Sequence, residues 1–389
     1  MKTLEKNSKA VSTVKAETSS SRRKFFKSAG TVAVAAPLAG FPMISVAQSP
    51  VVMKMQGAWG ANDIFNEMAE EYVKRVNDMA GGRLRIDFLV SGSVVKTFEM
   101  MDAVSKGVLD AGHQVSAYWY GKSKVASLFG TGPVTGANSD QMLGWIQRGG
   151  GIQLYDELLK ELNLNIKGFF AFPMPPQPLG WFKQSPPKNG AELKGYKYRT
   201  VGLATDLMQE LCMSVTQLPG GEIMPAMERG VIDAFEYNNP TSDRRFGAQD
   251  VAKYYSMGSF HQATEYFEII FNKTKYDALS PDLQSILQYS AEAASSSNTW
   301  TAMDNYSTDL QKLIVEDKVR VSKTPKAVYD AQLAAWDTLI AQLEAEDPFF
   351  KKVYASQKDW ARRVAYYGFL ASADDKAAYE HVFKTKLPF

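Results

Sequence analysis

Three polar side chains between Phe172 and Pro240 have the chemistry needed to bind a small anion together with a cation. Arg199 carries a permanent charge on a planar fork of N–H donors, which fits a carboxylate in bidentate fashion. Glu236 alone would repel an anionic ligand. A cation that bridges Glu236, Gln177 and the ligand would remove this repulsion, because hard cations prefer oxygen ligands. We therefore predict one side of a binding cleft here.

Two other arrangements of the same residues stay open from the sequence. Arg199 follows a short predicted strand, where an ordinary surface salt bridge is also common. Glu236 follows the apolar run Asp233–Phe235, and its carboxylate could pair with Arg199 or with Arg244.

The rest of the chain offers no catalytic set of residues. The three histidines His113, His261 and His381 are scattered, and the motifs of zinc proteases, serine hydrolases and nucleotide-binding loops do not occur. His261 lies in SMGSFHQATEYF, from which it could reach a cleft. Cys212 is the only cysteine, so no intrachain disulfide can form, and the helical pattern around it predicts a buried, unreactive thiol.

The elements that must position these residues are typical of an α/β protein. A strand from Val51, an amphipathic helix from Asn62 to Ala80 and a second strand after Gly82 form a β-α-β opening. The predicted helix-to-strand turn at Ser105–Ala111 recurs with a similar sequence at Glu228–Ala234, which suggests two lobes of similar construction. The proline-rich FPMPPQPLGWF forces an extended course and predicts a crossover between lobes. The helices predicted after Lys326 are additional to those that a two-lobed fold requires.

The first 47 residues predict an export signal. They contain Arg22-Arg23-Lys24-Phe25, a short apolar stretch and a small-residue end at Ala47, which favour a twin-arginine signal and a periplasmic location. A retained membrane anchor is the alternative, although the apolar stretch is short and contains Pro37 and Pro42. Beyond residue 47 the chain has 36 Lys and Arg against 40 Asp and Glu, so no basic excess suggests nucleic acid.

Three segments resemble the solute receptors of tripartite ATP-independent periplasmic (TRAP) transporters: LKGYKYRT, LPGGEIMPAMERGVIDAFEY and FEIIFNKTKYDALSPDLQ. The resemblance is strongest to the branch that binds 2-oxo acids and related monocarboxylates. It implies a two-lobed periplasmic binding protein fold, hinged around a cleft, with extra C-terminal helices and a membrane permease as partner. We expect lobe I in residues 48–172 and 259–325, lobe II in 173–258, and C-terminal helices in 326–389.

The resemblance also implies roles for individual residues. Arg199 would hold the carboxylate, while Gln177, Glu236 and the backbone of Tyr237 would hold a cation, sodium or calcium, with no organic cofactor. The same residues, together with Tyr118 and His261, are expected to line the substrate site. In this branch a C-terminal helix is exchanged between two copies, which implies a homodimer.

Departures from the family pattern fall where the rest of the ligand would lie. Tyr237 replaces the usual Trp, PPQPLGW replaces a segment with glycine and methionine, and His261 stands about where a Glu is common. The expected substrate is therefore a small organic monocarboxylate, such as a 2-oxo acid, rather than one named acid. The alternatives are a periplasmic enzyme that uses Glu236 as a base beside a bound cation, and a domain that presents a ligand to a sensor.

Overall fold

The computed structural model describes residues 49–389, so the predicted signal in residues 1–47 lies outside the described part of the chain. The described residues form eleven strands and thirteen α-helices, joined by short 3-10 turns. The strands are β1 (Val51–Gly57), β2 (Leu84–Leu89), β3 (Ala111–Gln114), β4 (Ile166–Met174), β5 (Gly180–Phe182), β6 (Lys197–Arg199), β7 (Ser214–Thr216), β8 (Ala234–Phe235), β9 (Tyr254–Met257), β10 (Glu265–Asn272) and β11 (Arg320–Lys323). The helices are α1 (Ile64–Ala80), α2 (Met100–Ser105), α3 (Ser139–Arg148), α4 (Gly151–Glu161), α5 (Ala204–Glu210), α6 (Gly220–Glu228), α7 (Pro240–Phe246), α8 (Ala248–Val251), α9 (Lys273–Asp277), α10 (Pro281–Val315), α11 (Lys326–Glu346), α12 (Pro348–Ala371) and α13 (Asp375–Phe383).

The first sheet forms the core of one lobe, with strand order β2-β1-β3-β10-β4. Strands β1, β2 and β3 pair in parallel, and β10 runs antiparallel to both β3 and β4. Every residue of β10 is buried, which matches its apolar sequence apart from Glu265 and Glu268. Helix α1 buries the face predicted from its periodicity, and Asp63 caps its start by accepting a hydrogen bond from the Phe65 amide.

The second sheet forms the core of the other lobe, with strand order β11-β9-β5-β8-β6-β7. Strand β6 pairs in parallel with both β7 and β8. The predicted boundaries put residues 320–323 in lobe I, but β11 pairs in parallel with β9 and therefore belongs to the second sheet. This pairing became possible because α10 carries the chain from one lobe to the other before β11 begins.

Within the described residues the chain passes between the sheets three times: between β4 and β5, between β9 and β10, and along α10 to β11. The first crossing contains the prolines of the predicted crossover. Helix α10, 35 residues long, packs against α1 and β4 of the first lobe and against α7 of the second. None of the helices in residues 49–389 is both long and apolar enough to cross a membrane.

Two of the three C-terminal helices pack against the lobes. Helix α11 packs on α5 of the second lobe and α12 packs on α3 of the first. Helix α13 buries none of its residues. The exposed end of α12, α13 and the last residue together carry a set of large apolar side chains, which we call the C-terminal apolar surface: Tyr366, Tyr367, Phe369, Leu370, Tyr379, Val382, Phe383 and Phe389.

Two local expectations are wrong. The apolar periodicity of the sequence from Asp140 to Leu162 predicts a single helix, but three glycines break it into α3 and α4, and Gly150 has a left-handed φ of 88°. Cys212 is exposed rather than buried, because α5 ends at Glu210 and the chain turns through Cys212 with φ 60°. Helical periodicity in MQELCMSV continued past the point where the chain reverses.

Gly180 begins β5 at a point where no side chain fits. Its φ is 113°, and a Cβ there would overlap with the carbonyl of Phe235 on the neighbouring strand. We expect Gly180→Ala to lower the free energy of unfolding by about 2–4 kcal/mol through backbone strain and steric overlap. Urea denaturation would measure this loss. Gly121→Ala is the control, because its Cβ meets nothing within 4 Å; it should change stability by less than about 0.5 kcal/mol. Equal effects would contradict the prediction.

Candidate carboxylate and cation site

Arg199 and Glu236 are neighbours because of the register of two parallel strands. Arg199 is the last residue of β6 and lies opposite Phe235, the last residue of β8. Glu236 therefore follows immediately at the same edge of the sheet, and its amide donates to the Arg199 carbonyl at 3.3 Å. The carboxyl ends of parallel strands are where α/β proteins commonly place ligand-binding residues.

The guanidinium of Arg199 is buried and held by four hydrogen bonds to the protein. Nε and Nη2 donate to the Leu218 carbonyl at 2.9 and 2.7 Å. Nη1 donates to the Glu236 carbonyl at 2.9 Å and to Glu236 Oε1 at 2.8 Å. Nη2 has two N–H groups and makes one of these bonds. Arg199 is therefore fixed in place, with one Nη2 donor not used by any described residue.

The carboxylate of Glu236 is fully buried, and its Oε2 has no hydrogen-bond partner among the described residues. Of the two pairings left open by the sequence, the structure shows the one with Arg199. Arg244 instead pairs with Asp309, Glu316 and Asp317. Burial raises the pKa of Glu236 to about 7, against the opposing effects of Arg199 and of the nearby Thr200 hydroxyl. The raised pKa indicates that the positive charge of Arg199 offsets only part of the cost of burying the Glu236 carboxylate.

Gln177 lies in the first crossing between the lobes, and its side chain contacts the backbone of Tyr237, the residue after Glu236. Its backbone amide donates to the Gln262 carbonyl at 3.1 Å, and its Nε2 lies 3.3 Å from the carbonyl of Tyr237. The buried Oε1 of Gln177 has no partner in residues 49–389. The three predicted cation-binding residues are thus brought together.

This oxygen set fits a hard cation. Two buried oxygens, Gln177 Oε1 and Glu236 Oε2, have unused lone pairs, and the amide of Gln177 contacts the carbonyl of Tyr237. Three or more His, Cys, Asp or Glu side chains do not converge anywhere in the described part of the chain. Amide and backbone oxygens would therefore supply much of the coordination. Such a cation would neutralise Glu236 and attract an anion towards Arg199.

The side chain of Tyr237 points away from these oxygens and links the two lobes. Its hydroxyl donates to Asp63 Oδ2 at 3.0 Å, and Ser242 donates to Asp63 Oδ1 at 2.8 Å. Burial raises the pKa of Asp63, and these hydrogen bonds oppose the rise. Asp63 thereby ties the start of α1 in the first lobe to the segment after Glu236 in the second.

A second buried carboxylate holds the backbone that follows the site. Asp243 Oδ1 accepts from the amides of Asn238 and Asn239, and Oδ2 accepts from Trp181 and Tyr255 at 2.8 and 2.9 Å. Burial raises the pKa of Asp243 to about 7 despite these bonds. Four donors converge on this one carboxylate, which restrains the backbone after Tyr237.

Tyr118 faces the site from the first lobe. Burial raises the pKa of its hydroxyl, which also lies close enough to sense the charges of Arg199, Glu265 and Glu236. Tyr118 also lines a cavity of about 200 Å³ together with Phe98, Val201 and Gln217. Val201 lies two residues after Arg199, so this cavity places Tyr118 near the end of β6.

His261 is placed less favourably for ligand contact. Its Nδ1 lies 2.7 Å from Ser259 Oγ, and its ring packs near Tyr198. Burial lowers its pKa to about 3, so the ring is neutral. No hydrogen bond joins it to the other predicted site residues within the described range.

Two residues near His261 were not predicted and lie closer to the cation-binding atoms. Gln262 follows His261, accepts from the Gln177 amide and has a buried Oε1 without a described partner. Glu265 Oε2 accepts from Gln177 Nε2 at 2.6 Å. Burial, then the charge of Glu236, raise the pKa of Glu265 well above its usual range. The sequence signal for Glu265 was its place as one of two carboxylates in the mostly apolar EYFEIIFN.

Several known proteins are similar to this chain in sequence or in fold. A relative from Nostoc sp. strain PCC 7120, a monocarboxylate 2-oxoacid-binding periplasmic protein, is 30% identical over 298 residues, covering 76% of this chain and 80% of the relative. A TRAP solute-binding protein of Bordetella bronchiseptica RB50, a mixed-occupancy dimer with calcium and picolinate in one site, superimposes with a TM-score of 0.79 at 28% identity, covering 87% of this chain and 98% of the other.

A third protein is a TRAP solute-binding protein from Pseudoalteromonas atlantica T6c with bound sodium and pyruvate. It superimposes with a TM-score of 0.78 at 28% identity, covering 85% of this chain and 99% of the other. These likenesses confirm the predicted two-lobed α/β fold. The family model described as bacterial extracellular solute-binding protein, family 7, matches residues 55–347. The chain therefore belongs to this family, the DctP family of TRAP solute receptors, as the three sequence segments predict.

Proposed function

We propose that this chain is a periplasmic receptor that captures a small monocarboxylate of the 2-oxo acid class, together with a cation, for a TRAP permease. The observation that supports this most is the pairing of a fixed Arg199, with one Nη2 donor unused, and two unpartnered buried oxygens on Glu236 and Gln177. A carboxylate can accept from the guanidinium while a cation shared with Glu236 and Gln177 binds its other oxygens.

The substrate role of the remaining residues follows from their positions. Tyr118 faces the charged groups from the first lobe and would contact the ligand on the side opposite Arg199. Tyr237 would contribute its backbone carbonyl to the cation, while its hydroxyl stays bonded to Asp63. His261 would act indirectly, because Ser259 orients it and Gln262 stands between it and Gln177. Binding would favour the arrangement in which the lobes close over the acid.

Isothermal titration calorimetry on the purified mature chain tests the proposed ligand class. We expect binding of pyruvate and branched 2-oxo acids in buffer that contains calcium and sodium, and no measurable binding of neutral sugars or of the corresponding methyl esters. The esters are matched controls, because they keep the 2-oxo carbon skeleton and remove the negative charge, with one added methyl group. Equal binding of acid and ester would contradict the proposal.

The same preparation distinguishes a receptor from an enzyme. The rival hypothesis has some support, since a buried carboxylate with a pKa of about 7 suits a general base. A receptor should return the acid unchanged, so mass spectrometry after a long incubation should recover intact ligand. Conversion that is lost in Glu236→Gln would favour the enzyme instead.

We also propose a homodimer held by the C-terminal apolar surface. The side chains of this surface are too exposed for a chain that remains alone in water. A groove of about 510 Å³ between α10 and the proline-rich crossing, lined by Pro173, Met303 and Tyr306 among others, could receive the same surface of a second copy. Sedimentation velocity should show a dimer for residues 48–389 and a monomer for a chain that ends at Ala365, which lacks all eight of these side chains. A monomeric full mature chain would contradict this assignment.

A further inference from the structure

Glu265 is a buried carboxylate that lacks a charged partner. It begins β10 and is 3% exposed. The only side chain that donates to it within the described residues is Gln177, through Nε2 at 2.6 Å. None of the ion pairs in residues 49–389 includes Glu265. An unpaired buried carboxylate is costly, so this position calls for either a proton or a cation.

The other buried carboxylates nearby are better supplied with donors. Asp63 accepts from one backbone amide and two hydroxyls, and Asp243 accepts from four donors. Glu268, three residues along the same strand, accepts from Gln114 at 3.1 Å and Tyr155 at 2.8 Å. Glu265 accepts from a single amide. It therefore has more unused capacity to bind a cation than Asp63, Asp243 or Glu268.

Glu265 also lies beside the atoms proposed to hold the cation. Gln177 Nε2 contacts both Glu265 Oε2 and the Tyr237 carbonyl. A half-turn of this amide would exchange its nitrogen and oxygen, and it would then direct Oε1 towards two further oxygens. Three oxygens that face one another repel unless a cation lies between them. The arrangement is thus suited to a cation that Glu265 shares with Gln177 and Tyr237.

We propose that Glu265 is an additional ligand of the cation, and that its charge makes the site select calcium over sodium. This inference rests on the proposed function, because it concerns the cation that accompanies the acid. The two similar structures hold calcium in one case and sodium in the other, so membership of the family leaves the choice open.

The charges of the site explain the selection. Arg199 supplies one positive charge, whereas Glu236, Glu265 and the carboxylate of the ligand supply three negative charges. A divalent cation brings this buried set to neutrality, and sodium leaves one negative charge uncompensated in a medium where such a charge is costly. Calcium also accepts the larger number of oxygen ligands that these residues offer.

The experiment compares the unchanged mature chain with Glu265→Gln, which removes the charge and keeps the shape. Calcium binding is titrated calorimetrically at constant ionic strength, without acid, and pyruvate affinity is then measured in calcium buffer and in sodium buffer. In the unchanged chain we expect tighter calcium binding and tighter pyruvate binding in calcium. In Glu265→Gln the calcium-to-sodium preference should fall by about ten-fold or more.

Two further variants keep the result interpretable. Glu268→Gln makes the same substitution three residues along β10, at a carboxylate away from the cation-binding atoms, and should leave the preference unchanged. Glu265→Asp keeps the charge, and should keep the preference for calcium even if both affinities fall. Circular dichroism checks that each variant is folded.

An unchanged calcium-to-sodium preference in folded Glu265→Gln would overturn the inference about Glu265. Failure of pyruvate to bind in either buffer would instead overturn the proposed ligand class. In that case the calcium titration without acid still decides the role of Glu265, so the two failures are distinguishable.

Discussion

Replacing Arg199 by alanine is expected to weaken pyruvate binding by about 2–5 kcal/mol, roughly 30- to 5,000-fold, as measured by calorimetry in calcium buffer. The loss has two sources. The ligand carboxylate loses its charged donor, and Glu236 loses the partner that holds Oε1 at 2.8 Å. Because Glu236 is already buried with a raised pKa, it should take up a proton in the variant and become a poorer cation ligand.

Arg199 also supports the fold, so the comparison needs matched variants. Arg199→Lys keeps the charge but replaces the fork that binds Leu218 and Glu236, and we expect an intermediate affinity. Arg148→Ala removes an exposed arginine at the end of α3 and should leave the affinity unchanged. Thermal melts would show how much stability each variant loses. An affinity for pyruvate in a folded Arg199→Ala chain equal to that of the unchanged chain would refute the carboxylate role.

Removal of the cation should be the second large effect. We expect EGTA in sodium-free buffer to weaken pyruvate binding by about 5- to 150-fold, the range of a coupling free energy of about 1–3 kcal/mol between two sites. The physical reason is that the acid would otherwise be placed beside the uncompensated carboxylate of Glu236. Addition of excess calcium should restore the affinity.

Thermodynamic linkage makes this prediction stringent. If the cation strengthens pyruvate binding by some factor, pyruvate must strengthen cation binding by the same factor. Pyruvate and the cation are each titrated with and without the other ligand, and the two ratios of affinities must be equal. This comparison requires no assumption about the structure of the site. Identical pyruvate affinities with EGTA and with calcium, in protein shown by elemental mass spectrometry to be metal-free, would exclude a bridging cation.

Sequence reasoning reached the residues whose position depends on local strand structure. Arg199 ends one short strand and Glu236 follows another, and the parallel pairing of β6 and β8 brings them together. Gln177 could be located because the prolines around it predicted a crossover. For these residues the type of side chain and the predicted element were sufficient.

The residues that were missed depend on contacts between distant parts of the chain. Asp63 looked like an ordinary helix cap, and its bond to Tyr237 joins residues 174 positions apart. Glu265 acquires its importance only when β10 is inserted between β3 and β4 and its first residue arrives beside Gln177. The exposure of Cys212 depended on where α5 ends, and helix ends are weakly specified by periodicity.

The three passages between the sheets limit how the lobes can move. Two bodies joined by one flexible strand can twist and slide as well as bend, whereas three connections at separate places remove most twisting and sliding. We expect the remaining motion to be mainly a rotation about the crossings, and Gln177 and Glu265 lie within or at the end of a crossing segment. Points near an axis of rotation move least. Gln177 and Glu265 should therefore keep their spacing through the binding cycle, so that the cation can stay bound while the lobes open to release the acid.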